Sequence, residues 1–239
     1  MHTSTSTHAS HKVSLTAQLR LQTFLNASFP IGAFTCSHGI ETAIQDGRLH
    51  DDSSCLDWIT TILTCGSGWN DAVLMNHAYH LARAGLHSNT EALRELNSLA
   101  LALQAGQERW FETTTLGASF LAAARAWPQS AQIQWHEVGD ELALPVVIGA
   151  LGRMHDMEKD ALLASALQST ASNMVWIATR LIPLGQSKSL GIIAQLELHC
   201  CAVALKAIGT SLDDLGSCAV LADIASLQHE TLHSRVCRT

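Results

Sequence analysis

The sequence predicts an all-α fold, a single-domain bundle of about eight to ten helices. Apolar residues recur at helical spacing along nearly the whole chain. β-branched runs such as Val146-Val147-Ile148 stand alone, without the alternation and turn signals of a sheet. Breakers and caps fall between the periodic segments, and neither a fixed repeat nor a linker divides the chain.

Residues 1–14 read as a disordered tail. The stretch 1–12 is rich in Ser, Thr and His and lacks the apolar core of a signal peptide. Its three histidines (His2, His8 and His11) fit a solvated tail better than a metal site. Leu21, Phe24, Leu25 and Ser28 then share one apolar or small face of a first helix, which Pro30 and Gly32 break. Ser54-x-x-Asp57 reads as a capping box, Ile59, Ile62 and Leu63 continue the buried stripe, and Gly66-Ser67-Gly68 stops it. A helix over about 70–84 follows, and Ser88-x-x-Glu91 caps the next. Residues 107–127 form a helix ending before Pro128, and the polar stretch 129–139 reads as a loop. Helices over 142–153, 158–182, 190–208 and 212–233 complete the set.

The 239 residues suffice to bury a core without metal or disulfide staples. Only 15% are charged, against the roughly 25% usual in soluble domains. That shortfall predicts apolar surface covered by a partner, in a homodimer or an obligate complex. The net charge of -7 and the lack of any Lys/Arg run argue against nucleic acid. The longest apolar stretch, 190–208, is interrupted by Gln195, Glu197, His199 and Lys206 and reads as a buried core helix rather than a membrane span. Seven irregularly spaced cysteines predict reduced thiols in a cytoplasmic protein, most of them small apolar core residues.

Enzymatic signals are weak. His229-Glu230-Thr231-Leu232-His233 satisfies H-E-x-x-H, which on a helix can place two imidazoles on zinc. Only six residues follow His233, with Cys237 the sole plausible further ligand, so His229 and His233 remain weak metal candidates. His199-Cys200-Cys201 cannot converge on one ion, because adjacent helical residues point about 100° apart. Gly185-Gln186-Ser187-Lys188-Ser189 lacks the glycine that a phosphate loop needs before its lysine. No G-x-S-x-G elbow appears. Glu108 and Glu112 lie at i and i+4 without an E-x-x-H partner, and read as solvated or capping residues.

Three separated segments carry a resemblance. They are Phe29-Pro30-Ile31-Gly32-Ala33-Phe34-Thr35-Cys36-Ser37-His38-Gly39-Ile40-Glu41, Ala178-Thr179-Arg180-Leu181-Ile182-Pro183-Leu184-Gly185-Gln186, and His229 to Thr239. With Glu108, Glu112 and Gly117, and Pro145 with Gly149, they resemble the UreF family of urease accessory proteins over about residues 15–239. Cys36 stands where the family has an aromatic, Val236-Cys237 where it has Leu-Phe, and Ser189-Leu190 where it often has Gly-Gln.

The resemblance implies an all-helical dimer without catalytic chemistry. Such a protein docks on the UreD (UreH) scaffold, recruits the GTPase UreG, and couples GTP hydrolysis to nickel delivery into apo-urease. Nickel is then cargo of the complex, and no cofactor is stably bound. The alternative is a metallochaperone binding nickel directly through His and Cys ligands. Pro30 and Gly32 are expected to fix a turn that presents Ser37, His38 and Glu41 to a partner. Arg180 complements a helix dipole near Pro183, Gly185 and Gln186, in a region the resemblance places near the dimer interface. His229, Glu230, Ser234, Arg235 and Arg238 belong to a tail expected to order on UreD, which accounts for the H-E-x-x-H pattern without zinc.

Overall fold

The computed structural model describes residues 14–82 and 89–239. The expected tail, apart from Ser14, and the Ser88 cap lie outside the described residues. Among the described residues there are eleven α-helices, three short 3₁₀ turns and no strand. The helices are α1 (Leu15–Phe24), α2 (Ile40–Gln45), α3 (Asp52–Cys65), α4 (Ser67–Leu81), α5 (Asn89–Ala102), α6 (Gln107–Ala124), α7 (Trp135–Val138), α8 (Leu144–Met154), α9 (Lys159–Leu181), α10 (Gln186–Ile208) and α11 (Val220–His229). The count exceeds the eight to ten expected because α2 and α7, of six and four residues, are too short to show a period.

The centre of the fold is the crossing of α8 on α4. Nine of the eleven residues of α8 are buried, so its Val-Val-Ile run packs on every side. Pro145 opens the helix where its missing N–H costs nothing. The two helices touch backbone to backbone: a Cβ on Gly149 would lie 2.3 Å from the Met75 carbonyl oxygen. Around this crossing, α9 and α10 form a hairpin against α3 and α4, α6 packs on α8, and α11 lies across α2 and α6.

Several boundaries differ from those expected, each for a local reason. Asp51, not Ser54, caps α3: its carboxylate accepts the Ser54 amide at 2.8 Å while Ser54 Oγ accepts the Asp51 amide at 3.0 Å. The box is reciprocal but begins three residues before Ser54 and Asp57. Gly66 alone separates α3 from α4, and Ser67 and Gly68 are already helical. The first helix ends at Phe24; Ser28 is exposed in a turn where Asn26 Oδ1 accepts from its amide. The sixth ends at Ala124 rather than at 127. The stretch 129–139 holds a 3₁₀ turn and α7, braced by the Trp135 indole donating to the Ser130 carbonyl.

The expected helix over 212–233 is two pieces. Gly216 N–H donates to Asn70 Oδ1 and Cys218 N–H to the Cys65 carbonyl, which draws this segment along α4 before α11 can start. Residues 190–208 also differ from a buried core helix. By length and composition, α10 is the one helix among the described residues that could cross a membrane, yet only a third of its apolar window is buried. It is a surface helix: Ile192, Leu196 and Val203 face the core, while Leu190, Leu198 and Leu205 face outward, Leu198 being 78% exposed.

The α4–α8 approach makes a direct prediction. Gly149→Ala should lower the thermal midpoint by about 5 °C, as overpacking of a core typically does. Gly191→Ala on α10, where a Cβ meets nothing within 4 Å, should leave the midpoint unchanged or raise it slightly in the same melting experiment.

Candidate functional site

The end of α11 and the C-terminal segment fold back over α2 and α6, and buried ionic groups gather between them. The entry to α2 is set by two consecutive left-handed residues, His38 (φ 53°) and Gly39 (φ 77°). At Gly39 the backbone of α11 comes so close that a Cβ would lie 2.7 Å from the Ser226 nitrogen. Only glycine meets both demands. The turn aims Glu41 inward, where it is 3% exposed.

Glu41 organises the C-terminal segment. Its carboxylate accepts the backbone amides of Val236 at 2.7 Å and Cys237 at 2.8 Å, and faces His229 Nε2 at 3.3 Å. Burial pushes its pKa up, but the two amides and the imidazole outweigh burial and hold it below the usual range. The other ring nitrogen of His229, Nδ1, is 2.6 Å from Glu108 Oε2. Each ring nitrogen of His229 thus faces one carboxylate. Glu108 also accepts from Arg235 at 2.5 Å. Glu230 caps α6 by accepting the Glu108 amide at 3.3 Å.

One turn along α6, Glu112 lies between Arg109 at 2.6 Å and His38 Nε2 at 2.9 Å, and accepts from Thr239 Oγ1 at 3.2 Å. Burial alone would raise its pKa; Arg109 and His38 more than reverse this and hold it at about 2. Arg109 lies 2.5 Å from His38 Nδ1. A guanidinium can only donate there, so Nδ1 accepts and Nε2–H points at Glu112. Burial and the neighbouring Arg109 both lower the His38 pKa. Beyond Arg109, a cavity of about 180 Å³ reaches Asp71, whose pKa burial pushes up to about 6 against the attraction of Arg109.

Backbone bonds finish the closure. Arg238 N–H donates to the Thr35 carbonyl at 2.7 Å, and Ser37 N–H donates to the Thr239 carbonyl. The Arg238 guanidinium covers the Phe111 ring at 4.5 Å. Cys237 and Thr239 are buried, whereas Val236, just before them in the chain, is 70% exposed.

These positions correct several expectations. The turn at Pro30 and Gly32 exists, with Gly32 at φ 80°. It does not present Ser37, His38 and Glu41 outward; all three are turned into the fold, and Glu41 and His38 are taken up by internal bonds. Glu112 is neither solvated nor capping, because Arg109 and His38 compensate its burial. The C-terminal segment is already ordered on the chain's own carboxylates. Arg180 reaches off its helix to the Phe34 carbonyl at 2.7 Å rather than only complementing a dipole. With Asn173, which donates to the Ala33 carbonyl at 2.8 Å, it fixes the 3₁₀ turn Ala33–Thr35 on α9. Gly185 (φ 74°) starts α10, and Pro183 and Gln186 are exposed at that turn, apart from the polar centre. Ser234 is exposed.

The weak metal pair does not fit a metal. α11 ends at His229, so His233 is not one turn further along the same helix. Both His229 nitrogens already face carboxylates. Among the described residues no group of three or more His, Cys, Asp or Glu is placed to hold an ion. Arg109, Asp71 and Thr239 were missed in the sequence; an arginine and two glutamates within one turn pair of an apolar helix was the available signal.

Comparison with known proteins agrees with the motifs. A family model described as UreF matches residues 49–197. The urease accessory protein UreF of Rhizobium leguminosarum bv. viciae is 41% identical over 225 residues, covering 94% of this chain and 97% of the relative. That of Bradyrhizobium sp. is 39% identical over 224 residues, 93% of this chain and 92% of the relative. That of Mesorhizobium japonicum is 39% identical over 223 residues, 93% and 96% of the two chains.

The buried centre predicts acid sensitivity. Glu112 is held at about 2 against an ordinary 4.5, so its contribution is complete above about pH 4.5 and is lost as pH falls toward 2. Apart from that centre, His155 is buried beside Phe24 and Ser130 and kept neutral there, its pKa lowered from 6.5 to about 4, so it contributes fully above 6.5 and loses that contribution between 6.5 and 4. Asp71, raised from 3.8 to about 6, runs the other way and offsets part of the loss between those values. In thermal melts Glu112→Gln should flatten the decline between pH 4.5 and 3, and an unchanged slope would refute the assignment. Glu112→Ala, which strands buried Arg109, should cost about 3–5 kcal/mol in denaturant unfolding at pH 7.

Proposed function

The chain belongs to the UreF family of urease accessory proteins, and from that premise we propose that it bridges the UreD (UreH) scaffold and the GTPase UreG. In this role it couples GTP hydrolysis to delivery of nickel into apo-urease. It is an accessory protein and not an enzyme. The observation that carries the reading is end-to-end similarity: the relatives named urease accessory proteins are matched over 92% to 97% of their own length. Nickel is the cargo of the assembly, held by its other members, and this chain works in the cytoplasm without a resident cofactor.

The arrangement of the C-terminal segment supports scaffold docking. Its backbone is fixed on Glu41 and Thr35 while Val236 and Ser234 point outward. A partner therefore meets a preformed surface and pays little ordering entropy. A second exposed apolar patch supports a homodimer. Phe34, 63% exposed, sits on the 3₁₀ turn held by Asn173 and Arg180, and Trp176 lies between those two residues on α9. Spacings of three and four place Trp176 on the same helix face as its neighbours.

Tagged protein co-expressed with UreD and UreG should co-purify as a ternary complex, and urease should stay inactive when this chain is omitted. Active urease without it, or no complex, would overturn the proposal. Val236→Gln should weaken UreD binding at least about tenfold with the thermal midpoint unchanged, as truncating an interface anchor does. Phe34→Glu should shift the sedimentation coefficient from dimer to monomer.

A further inference from the structure

Two of the seven cysteines meet at a place the proposed assembly role does not use. Cys65 is the last residue of α3, and Cys218 lies in the segment that leads into α11. The Cys218 amide donates to the Cys65 carbonyl oxygen at 2.8 Å. With standard backbone dimensions, that bond keeps the two Cα atoms within about 6.7 Å. This is inside the range of about 4.4–6.8 Å that a disulfide spans. Cys218 is exposed and Cys65 half-buried. The next residues pack as closely, since a Cβ on Gly66 would lie 2.9 Å from that of Ala219.

The remaining cysteines differ. Cys36, Cys55, Cys200 and Cys237 are buried, and burial pushes each thiol up, to between about 11 and about 12. They are inert core residues. Cys201 is exposed on α10, but its neighbour Cys200 points into the core.

We propose that Cys65 and Cys218 form a reversible disulfide site, closed by exchange with a low-molecular-weight disulfide. The exposed Cys218 thiolate, its proton released to solvent, attacks one sulfur of the small disulfide. That S–S bond breaks and the first small thiol leaves. Cys65, as thiolate, then attacks the Cys218 sulfur of the mixed disulfide and expels the second small thiol. Two protein thiols are oxidised and one small disulfide is reduced. The neighbouring Cys65 thiol holds Cys218 toward its protonated form, so closure accelerates as pH rises. Closed, the bridge ties the approach to α11 onto the α3–α4 junction, beside the bonds already made by Asn70 to Gly216 and by Trp69 to Asp214. It thereby fixes the helix that carries His229 into the buried carboxylates.

The test uses the reduced full-length chain and glutathione disulfide. The expected product is a single chain lighter by two hydrogens under denaturing conditions, with two thiols lost and a peptide map linking the Cys65 peptide to that of Cys218. Its thermal midpoint should rise on the order of 5 °C and return with dithiothreitol. Cys65→Ser should instead retain glutathione on Cys218, and Cys218→Ser should yield no bridge. A glutathione adduct that persists on Cys218 of the unaltered chain would overturn the proposal, as would a bridge between two chains or any other intramolecular pairing. The peptide map of the unaltered chain decides even if a variant fails to fold.

Discussion

A carboxylate taken out of water costs several kcal/mol unless charges and hydrogen bonds replace its hydration. The junction of α2, α6, α11 and the C-terminal segment is arranged around meeting that demand for Glu41 and Glu112. Glu41 takes two backbone amides from the C-terminal segment and faces one imidazole nitrogen from α11. Glu112 takes Arg109, His38 and Thr239. Because the donors come from α6, α11, the turn before α2 and the last residues of the sequence, none of these can move away without leaving a buried charge unpaired. The polar centre is a clamp: its ionisable groups are engaged with one another.

This clamp separates two kinds of work in one short segment. The backbone of residues 236–239 serves the fold, bonding to Glu41, Thr35 and Ser37. The side chains of Ser234 and Val236 are left outside. A protein whose task is to hold other proteins gains from such a division, because a preformed surface loses less entropy on binding than a free end. The 3₁₀ turn at Ala33–Thr35 links the second exposed patch to the same structure. Asn173 and Arg180 hold its carbonyls from one side, and the amide of Arg238 holds the Thr35 carbonyl from the other. Phe34 is thereby fixed between α9 and the C-terminal segment.

The low charged fraction has its counterpart in these surfaces. Leu190, Leu198 and Leu205 on α10, Val220, Leu221 and Leu227 on α11, and Phe34 and Val236 are all exposed. Exposed apolar residues in this number are costly on a solitary protein and are suited to covering by partners. The core shows the opposite arrangement, with glycines at 149, 117 and 152 letting backbones and large side chains approach closely around α8.

The sequence by itself determined the helical class and most of the long helices, because those properties reside in the spacing of apolar residues along one chain. It also determined family membership, through three short motifs in order. It did not determine where the helices at 52, 67 and 220 begin, because Asp51 competed with Ser54 as a cap, and Asn70 and Cys65 straightened residues 216–218 from across the fold. Nor did it determine the direction of Ser37, His38 and Glu41, which read as an exposed motif and lie inside. Burial of a charged side chain depends on partners distant in sequence, Glu41 with Val236 and Cys237, Glu112 with His38, His229 with Glu108. Periodicity carries no record of such pairs. Only the tertiary structure decided them, because the desolvation of each charge is compensated by groups that come together after the helices have packed.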